Sequence, residues 1–450
     1  MNGSGSEIRS SFRFLLYLAF AVVVFFVGLI GRIGFPPVAS ITNTAPAEFA
    51  SARSVEDVRR LLEAEVTPER LQAMARSGGD WILRMQVTEG EDRGRFLYQF
   101  NPRKEFRPDA SFRKDNFLRQ AGTTLSLFAL HRLLGEERYR SAALRGRNWI
   151  LHRARREESR FPGAVFFEFR GKVKLGGTAL ALLTLLSGDS APYIDTAVAA
   201  GEFLLEMQEP SGEFRSIAKY RGSWEDKKTR WRSEIYPGEA MLALVRLYRA
   251  TGYEKYLAAV ERARKFYRPH PEVSHKAKFM PWTTTAMVEA AELTGRTEFR
   301  DFGFELADYI IDHEQNLDFH RRFFGSFHHR PSINTAAYLE GLVDAFRAAV
   351  SARDESRIEK YRFSILAAFH FISKLQYRKS DGMRFSREAA RYLVGGFRSS
   401  PRSAAVRIDN TQHAVSAAAK ALQTPSLFRR SVSETKNTAD TEKARGKKTK

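Results

Sequence analysis

Residues 236–266 read YPGEAMLALVRLYRATGYEKYLAAVERARKF. Two helices of different character meet at Thr251-Gly252. The first, beginning at Tyr236, carries Ala, Leu, Met and Val on nearly every face, the composition of a helix surrounded by protein. The second confines its apolar residues to one stripe and carries charge elsewhere, as a helix does when one face is in water. Gly252 is a helix stop. Tyr256 and Phe266 lie on the stripe ten positions apart, close to three helical turns, so both face the same interior.

That pairing recurs along the chain. Tyr139/Trp149, Tyr193/Phe203, Phe299/Tyr309 and Tyr361/Phe371 keep the same spacing, and Leu71/Trp81 fits it with an aliphatic opener. Between these helices run segments of the buried kind: RQAGTTLSLFALHRLLG, GGTALALLTLLSG, YPGEAMLALVRLYRATG, PWTTTAMVEAAELTG, INTAAYLEGLVDAFRAA and DNTQHAVSAAAKAL. Six amphipathic helices alternate with six buried ones, a repeat that no segment can satisfy alone. The series opens with an outer-type helix near 66–86 and closes with an inner-type helix near 408–422, so its ends can pair. The expectation is one all-α domain over residues 66–424, an (α/α)6 toroid. Short β-hairpins at one end are expected from GRFLYQF (94–100), PGAVFFEF (162–169), SGEFRSI (211–217), RRFFGSFHH (321–329) and LVGGFRSS (393–400), where aromatic and polar residues alternate around Gly.

The flanks differ from this core. FLLYLAFAVVVFFVGLI, Phe14 to Ile30, is uncharged until Arg32 and reaches the lower end of the roughly 17–25 residues that span a bilayer. Residues 1–13, with Arg9 and Arg13, are read as a short cytoplasmic N-terminus and 14–31 as a transmembrane signal-anchor helix. The bulk then lies on the periplasmic or extracellular side of the cytoplasmic membrane. Cleavage near Val38-Ala39-Ser40 or Ala45-Pro46-Ala47 is the alternative. Residues 32–65 read as linker and short helix, and 425–450 as a disordered basic tail. The chain has 73 Lys+Arg against 52 Asp+Glu, a formal charge of +21, which favours anionic partners. It has no cysteine, which excludes disulfides and thiolate chemistry.

The alternating pattern resembles the six-hairpin glycosidase-like (α/α)6 toroids, which include glycoside hydrolases, unsaturated-uronyl hydrolases, sugar epimerases and some polysaccharide lyases. The stretch IYPGEA is similar to one in bacterial toroids of unassigned activity. The resemblance implies that the N-terminal ends of the inner helices, with the loops leading into them, form the binding face.

At that mouth, aligning GGTALALL, PGEAMLAL, TTTAMVEA and TQHAVSAA places Thr178, Glu239, Thr285 and His413 in one register. With Pro237 as the first helical residue, Glu239 suits a helix N-terminus, so helix initiation competes with chemistry as its explanation. Glu234 lies outside the helix, where capping does not account for it. Asp409, in VRIDNTQHA, is either a cap or a catalytic carboxylate. His413 is a packed core histidine or a proton-transfer group. Glu234, Glu239, Asp409 and His413 are therefore the candidate catalytic residues, since hydrolysis of a glycosidic bond wants paired acid and base. Trp224, Trp231, Tyr236 and Trp282 are candidate sugar-stacking residues. Arg119, Lys174 and Arg232, with Arg407, are candidate contacts to a uronate or phosphate. Asn410 is a candidate substrate contact as well.

No cofactor is expected: the sequence has no P-loop, Rossmann fingerprint or GxSxG. A metal at His320, His328 and His329 is disfavoured by the interleaved arginines. Nucleic acid is not an expected partner. The leading reading is a membrane-anchored hydrolase or epimerase acting on an acidic exported or surface polysaccharide by carboxylate acid/base chemistry. The alternatives are a polysaccharide lyase, using Tyr236 or His413 as base with Asn410 and Arg119 on the uronate, and a non-catalytic glycan-binding scaffold with envelope assembly partners.

Overall fold

A computed structural model describes residues 49, 52–103, 115–225, 231–328 and 330–429. A short helix, α1 (Val55–Glu65), opens it, started by a capping box between Ser54 and Asp57. The twelve helices of the ring follow: α2 (Pro68–Met85), α3 (Phe117–Leu134), α4 (Glu137–Leu151), α5 (Leu175–Leu185), α6 (Ile194–Glu206) and α7 (Tyr236–Thr251). Then come α8 (Glu254–Tyr267), α9 (Met280–Thr294), α10 (Thr297–Glu314), α11 (Thr335–Ala352), α12 (Glu355–Ser373) and α13 (Ile408–Leu422).

The odd-numbered helices from α3 to α13 form the inner ring. Each packs on the next, and α13 packs back on α3. Their outer partners are α4, α6, α8, α10 and α12, while α2 packs on α13 and closes the circle. Every residue of α5 is buried, as its all-round apolar composition requires. Gly135, Gly252 and Gly295 end α3, α7 and α9 in the left-handed conformation that a side chain disfavours.

Two repeated devices hold the outer ring. The tyrosine that opens an outer helix donates a hydrogen bond to a carboxylate on the preceding outer helix: Tyr139 to Asp80 at 2.7 Å, Tyr256 to Glu202 at 2.9 Å, and Tyr361 to Asp308 at 3.1 Å. The second device is a glutamine followed by Gly-x-Phe. Gln86, Gln208, Gln315 and Gln376 form isolated antiparallel bridges with Phe96, Phe214, Phe327 and Phe397. Each glutamine amide also donates to the carbonyl of the loop glycine and to a carbonyl of the neighbouring outer helix, as Gln208 does to Gly212 (3.1 Å) and Ala259 (2.9 Å). The loop glycine must be glycine. Gly325 has φ 85°, and a Cβ there would lie 1.9 Å from the Ala367 carbonyl oxygen.

Short strands then stitch the loops to the mouth. β1 (Gln99–Phe100) pairs antiparallel with β7 (Val406–Arg407). β2 (Ala154–Arg155) pairs with β3 (Phe166–Phe167), and β4 (Val173–Lys174), β5 (Ile217–Tyr220) and β6 (Ser223–Trp224) make a three-stranded sheet. Phe327 and Phe397 donate their N–H groups to Thr335 on α11 and Thr411 on α13, at 3.1 and 3.3 Å, which anchors those loops to the starts of inner helices.

The all-α ring with hairpins at one end is thus as expected. The chain remains packed through Leu427, whose carbonyl accepts from Arg362. No helix among the described residues is long and apolar enough to cross a membrane. The expected anchor at 14–31 lies outside the described residues, as does the tail from 430 onward.

Candidate active site

A cleft of about 350 Å³ opens at the N-terminal ends of α3, α7, α9, α11 and α13. Glu239, Tyr236, Trp282, Asp409, Asn410, His413 and Arg119 all line it. Residues distant in sequence therefore meet at one mouth, because the ring brings α13 beside α3.

Helix α7 begins at Tyr236, one residue earlier than the Pro237 start read from sequence, and Ser233 Oγ accepts from the Ile235 and Tyr236 N–H groups at 3.2 and 3.3 Å. Glu239 falls in its first turn, 4% exposed, and its Oε2 is buried with no hydrogen-bond partner. The neighbouring inner helix leaves room for it at Gly176, where a Cβ would lie 2.0 Å from that oxygen. Burial pushes the Glu239 carboxyl up to about 8, against a modest opposing pull from Lys174. Glu239 is thus a neutral acid at pH 7. Helix initiation explains it poorly, since a protonated carboxyl does little for the helix dipole. Burial next to Glu239 likewise raises the Tyr236 hydroxyl, with Arg119 opposing.

Asp409 has the opposite environment. β7 delivers Arg407 to the start of α13, and its Nε donates to Asp409 Oδ1 at 2.9 Å while Nη2 reaches Oδ2. Arg119 Nε approaches Oδ2 at 2.9 Å from α3. Burial acts to raise this carboxyl, but the Arg407 hydrogen bond and the charges of Arg119, Arg407 and His413 overcome it and hold Asp409 below the usual carboxylate range. Asp409 caps nothing; it is an ion-paired carboxylate. Tyr98, whose hydroxyl accepts from Arg119, lies under both guanidiniums, with ring centroids 4.9 Å from Arg119 Cζ and 5.7 Å from Arg407 Cζ.

His413 Nδ1 lies 2.7 Å from Glu340 Oε1 on α11. This pair is invisible in the alignment of helix starts because Glu340 sits a turn deeper. The signal was there: a lone glutamate inside the apolar segment INTAAYLEGL. Of the other residues in that register, Thr178 accepts from the Phe167 N–H at 3.3 Å and so anchors β3. Thr285 donates to Asp344 on the neighbouring α11 at 2.7 Å. The register therefore delivers Glu239 and His413 to the cleft and gives the two threonines other work.

The remaining candidates spread around this centre. Trp282 lines the cleft, and Asn410 lines it while donating to Ser399 Oγ at 2.8 Å. Lys174 and Arg119 line an adjoining groove. Glu234 lies on the rim, its side chain 40% exposed and 3.5 Å from Lys278 Nζ. Arg232 pairs with Glu213 at 3.1 Å, and Trp224 packs on Phe161 and Phe166 at the hairpin sheet, so neither faces the cleft. Among the described residues no cluster of His, Asp and Glu has a metal-binding arrangement; His329 lies outside them.

Beyond Trp282, Gln412 and His413 the lumen widens into a second chamber of about 510 Å³ at the C-terminal ends of the inner helices. Of its acids, Glu289, Glu292 and Asp344 are committed to Arg or Lys, and Glu340 faces His413. Glu289 binds Arg246 bidentately (2.7 and 3.1 Å) and Arg249 at 3.1 Å, and Asp344 binds Lys420 and Arg347. Burial opposes ionisation of Glu289, but these guanidiniums and Lys420 hold it near 2. Glu239 is thus found in the smaller cleft, whereas His413 stands where the two spaces meet and lines both.

No protein-family model matches the chain, and no curated protein matches it. Solved structures do. An inactive variant of an α-1,6-mannanase from a Salegentibacter species, in complex with α-1,6-mannotriose, is 10% identical over 78% of this chain and 99% of its own, with a TM-score of 0.55. A D-mannose isomerase is 12% identical over 79% and 97%, with a TM-score of 0.55. A cellobiose 2-epimerase from Bacillus thermoamylovorans is 11% identical over 76% and 95%, with a TM-score of 0.54. At such identities the likeness establishes a shared fold and leaves the chemistry to the side chains.

Proposed function

Proceeding from the six-hairpin glycosidase-like fold, we propose that this chain is a carbohydrate-active enzyme, a glycoside hydrolase acting on an acidic polysaccharide. In this reading residues 14–31 anchor it to the membrane with the ring outside the cytoplasm. One observation carries the proposal: in a single cleft, one carboxyl is kept protonated by burial and another is kept ionised by two arginines. Two acids whose environments drive their protonation apart are the ordinary equipment of glycosidic cleavage.

Glu239 donates its proton to the glycosidic oxygen as the bond to the anomeric carbon breaks. Water adds to that carbon and gives up its proton to His413, whose Nδ1 is held by Glu340 so that Nε2 receives it. Asp409 is the ionised carboxylate of the cleft, and it holds the Arg119 and Arg407 guanidiniums at the mouth. Trp282, Tyr236 and Tyr338 are rings that line the cleft and can pack on a sugar. The His413–Glu340 pair also supports a second reading as an epimerase, in which His413 removes a carbon-bound proton and Glu239 supplies one.

The test is turnover of neutral and uronate-bearing oligosaccharides by the full chain and by Glu239→Gln. New reducing ends identify a hydrolase, an altered sugar configuration at constant chain length an epimerase, and ultraviolet absorbance of an unsaturated product a lyase. Loss of about a hundredfold or more in Glu239→Gln is expected for a general acid. Full activity in Glu239→Gln removes the proposal, and no turnover of any oligosaccharide favours the glycan-binding scaffold.

A further inference from the structure

Beside the cleft, and sharing Asn116, Leu118 and Arg119 with it, runs a second groove of about 300 Å³. One wall is the β3–β4 hairpin, whose turn is closed by reciprocal backbone hydrogen bonds between Phe169 and Lys172 (3.0 and 3.1 Å). That turn fixes Lys172 and Lys174 on the groove, with the Phe169 ring beside them.

The charge here is unbalanced. Among the described residues neither lysine forms an ion pair. The groove's one acid, Asp115, cannot serve them: its side chain is fully buried, with Oδ2 on Arg95 Nε (2.9 Å) and Oδ1 accepting from Asn116 N and Gln120 Nε2 (2.6 and 2.9 Å). Arg119 is already committed to Asp409. Glu239, the nearest other carboxyl acting on Lys174, is neutral at pH 7. Burial depresses Lys174 below the usual lysine range, and repulsion from Lys172 and Arg119 depresses it further.

We infer that this groove is a subsite for the negatively charged group of a sugar adjoining the one in the cleft, with Lys172 and Lys174 as its charged contacts and Phe169 as the face on which that sugar packs. The chemistry recognised is a carboxylate or a phosphate carried on a glycan. The inference rests on the cleft being a glycan site, and it adds where the charge is read.

Calorimetric titration of the full-length Glu239→Gln protein tests it with three probes: oligoglucuronate, its carboxyl-reduced neutral counterpart, and inorganic phosphate. Oligoglucuronate is expected to bind at least about tenfold more tightly than the neutral oligomer. Adding Lys172→Ala and Lys174→Ala is expected to remove that advantage and leave neutral binding unchanged. Phosphate that competes with oligoglucuronate and loses affinity in the lysine variant assigns a phosphate-bearing sugar; phosphate that does not compete assigns a carboxylate. Equal binding of charged and neutral oligomers, or undiminished binding in the lysine variant, overturns the inference. Should the double variant melt early, Lys172→Ser alone, at the hairpin turn, gives the same comparison. Turnover of neutral glycans with no charge preference overturns the subsite and leaves the enzyme reading intact. Charge-selective binding without turnover does the reverse.

Discussion

Replacing Glu239 by Gln should stabilise the protein, increasingly so as pH rises from 5 to 8. The folded state holds the Glu239 proton up to about pH 8, whereas an unfolded chain releases it near 4.5. Below 4.5 both states are neutral and the residue has no pH-linked effect on stability. Between those values the unfolded state ionises and the folded state does not, so stability falls as pH rises, by about 1.4 kcal/mol for each pH unit. Above about 8 both are ionised and the loss is constant. Carried from 4.5 to pH 7, the loss is about 3 kcal/mol. Glutamine matches the shape and cannot ionise, so the variant lacks this pH-dependent loss. Its amide also sits where Oε2 has no partner, which costs a similar amount at every pH and cancels from the trend.

The assay is urea unfolding of parent and variant at pH 5, 6, 7 and 8, followed by helical circular dichroism. The difference in unfolding free energy between variant and parent is expected to shift in the variant's favour by about 2.5 kcal/mol between pH 5 and pH 7. A difference independent of pH would show that Glu239 is ionised in the folded protein, and the neutral acid of the proposed mechanism would be gone. A parent that gains on the variant with rising pH would be worse still for it, since that sign requires a carboxylate stabilised by its surroundings.

Asp409→Asn should behave oppositely, because Asp409 stabilises the fold above the ordinary aspartate range and loses that effect as pH falls through its depressed folded value. Removing the charge leaves Arg119 and Arg407 facing each other and is expected to cost about 2 kcal/mol near pH 7, vanishing in acid, by the same urea titration. Glu340→Gln should lower kcat by about one to two orders of magnitude with KM little changed, measured by steady-state kinetics, since Glu340 orients the His413 ring and touches no substrate. Glu234→Gln should leave turnover within about twofold of the parent, given its place on the rim; a hundredfold loss would move the acid from position 239 to 234. Gly325→Ala should cost at least about 2 kcal/mol in thermal or urea unfolding, from a positive φ and a Cβ driven into the Ala367 carbonyl.

The ring was legible because burial writes itself into composition. A helix surrounded on all sides must be apolar on all sides, and α5 is the extreme case, so alternation of two helix types revealed the double ring. The tyrosine and phenylalanine spacing worked less uniformly. In α8 the buried ring is Tyr267, with Phe266 only partly covered, because ten residues fall slightly short of three turns and eleven come closer to completing them. The glutamine and Gly-x-Phe device was also present as a repeat, but its meaning depends on a glycine meeting the backbone of a neighbouring helix, which no local pattern encodes.

At the mouth, sequence supplied the residue types and the helix ends but not their charge states. Glu239 and Asp409 look alike in a string: each stands in the first turn of an inner helix, and each admits a capping explanation. What separates them is the neighbour across the ring. Gly176 on α5 makes a buried slot in which Glu239 Oε2 meets no donor, whereas Arg119 on α3 joins Arg407 to surround Asp409 with donors. Those neighbours lie tens to hundreds of residues away, so the difference between a neutral acid and a fixed carboxylate arises only when the ring closes. The same holds for His413: its partner on α11 is 73 positions distant and becomes adjacent because α11 and α13 are consecutive members of the inner ring. Closure of the ring is therefore what turns two glutamates, an aspartate and a histidine into groups with different jobs, and a substitution that loosens it, such as one at a loop glycine, should degrade the carboxyl environments before it unfolds the helices.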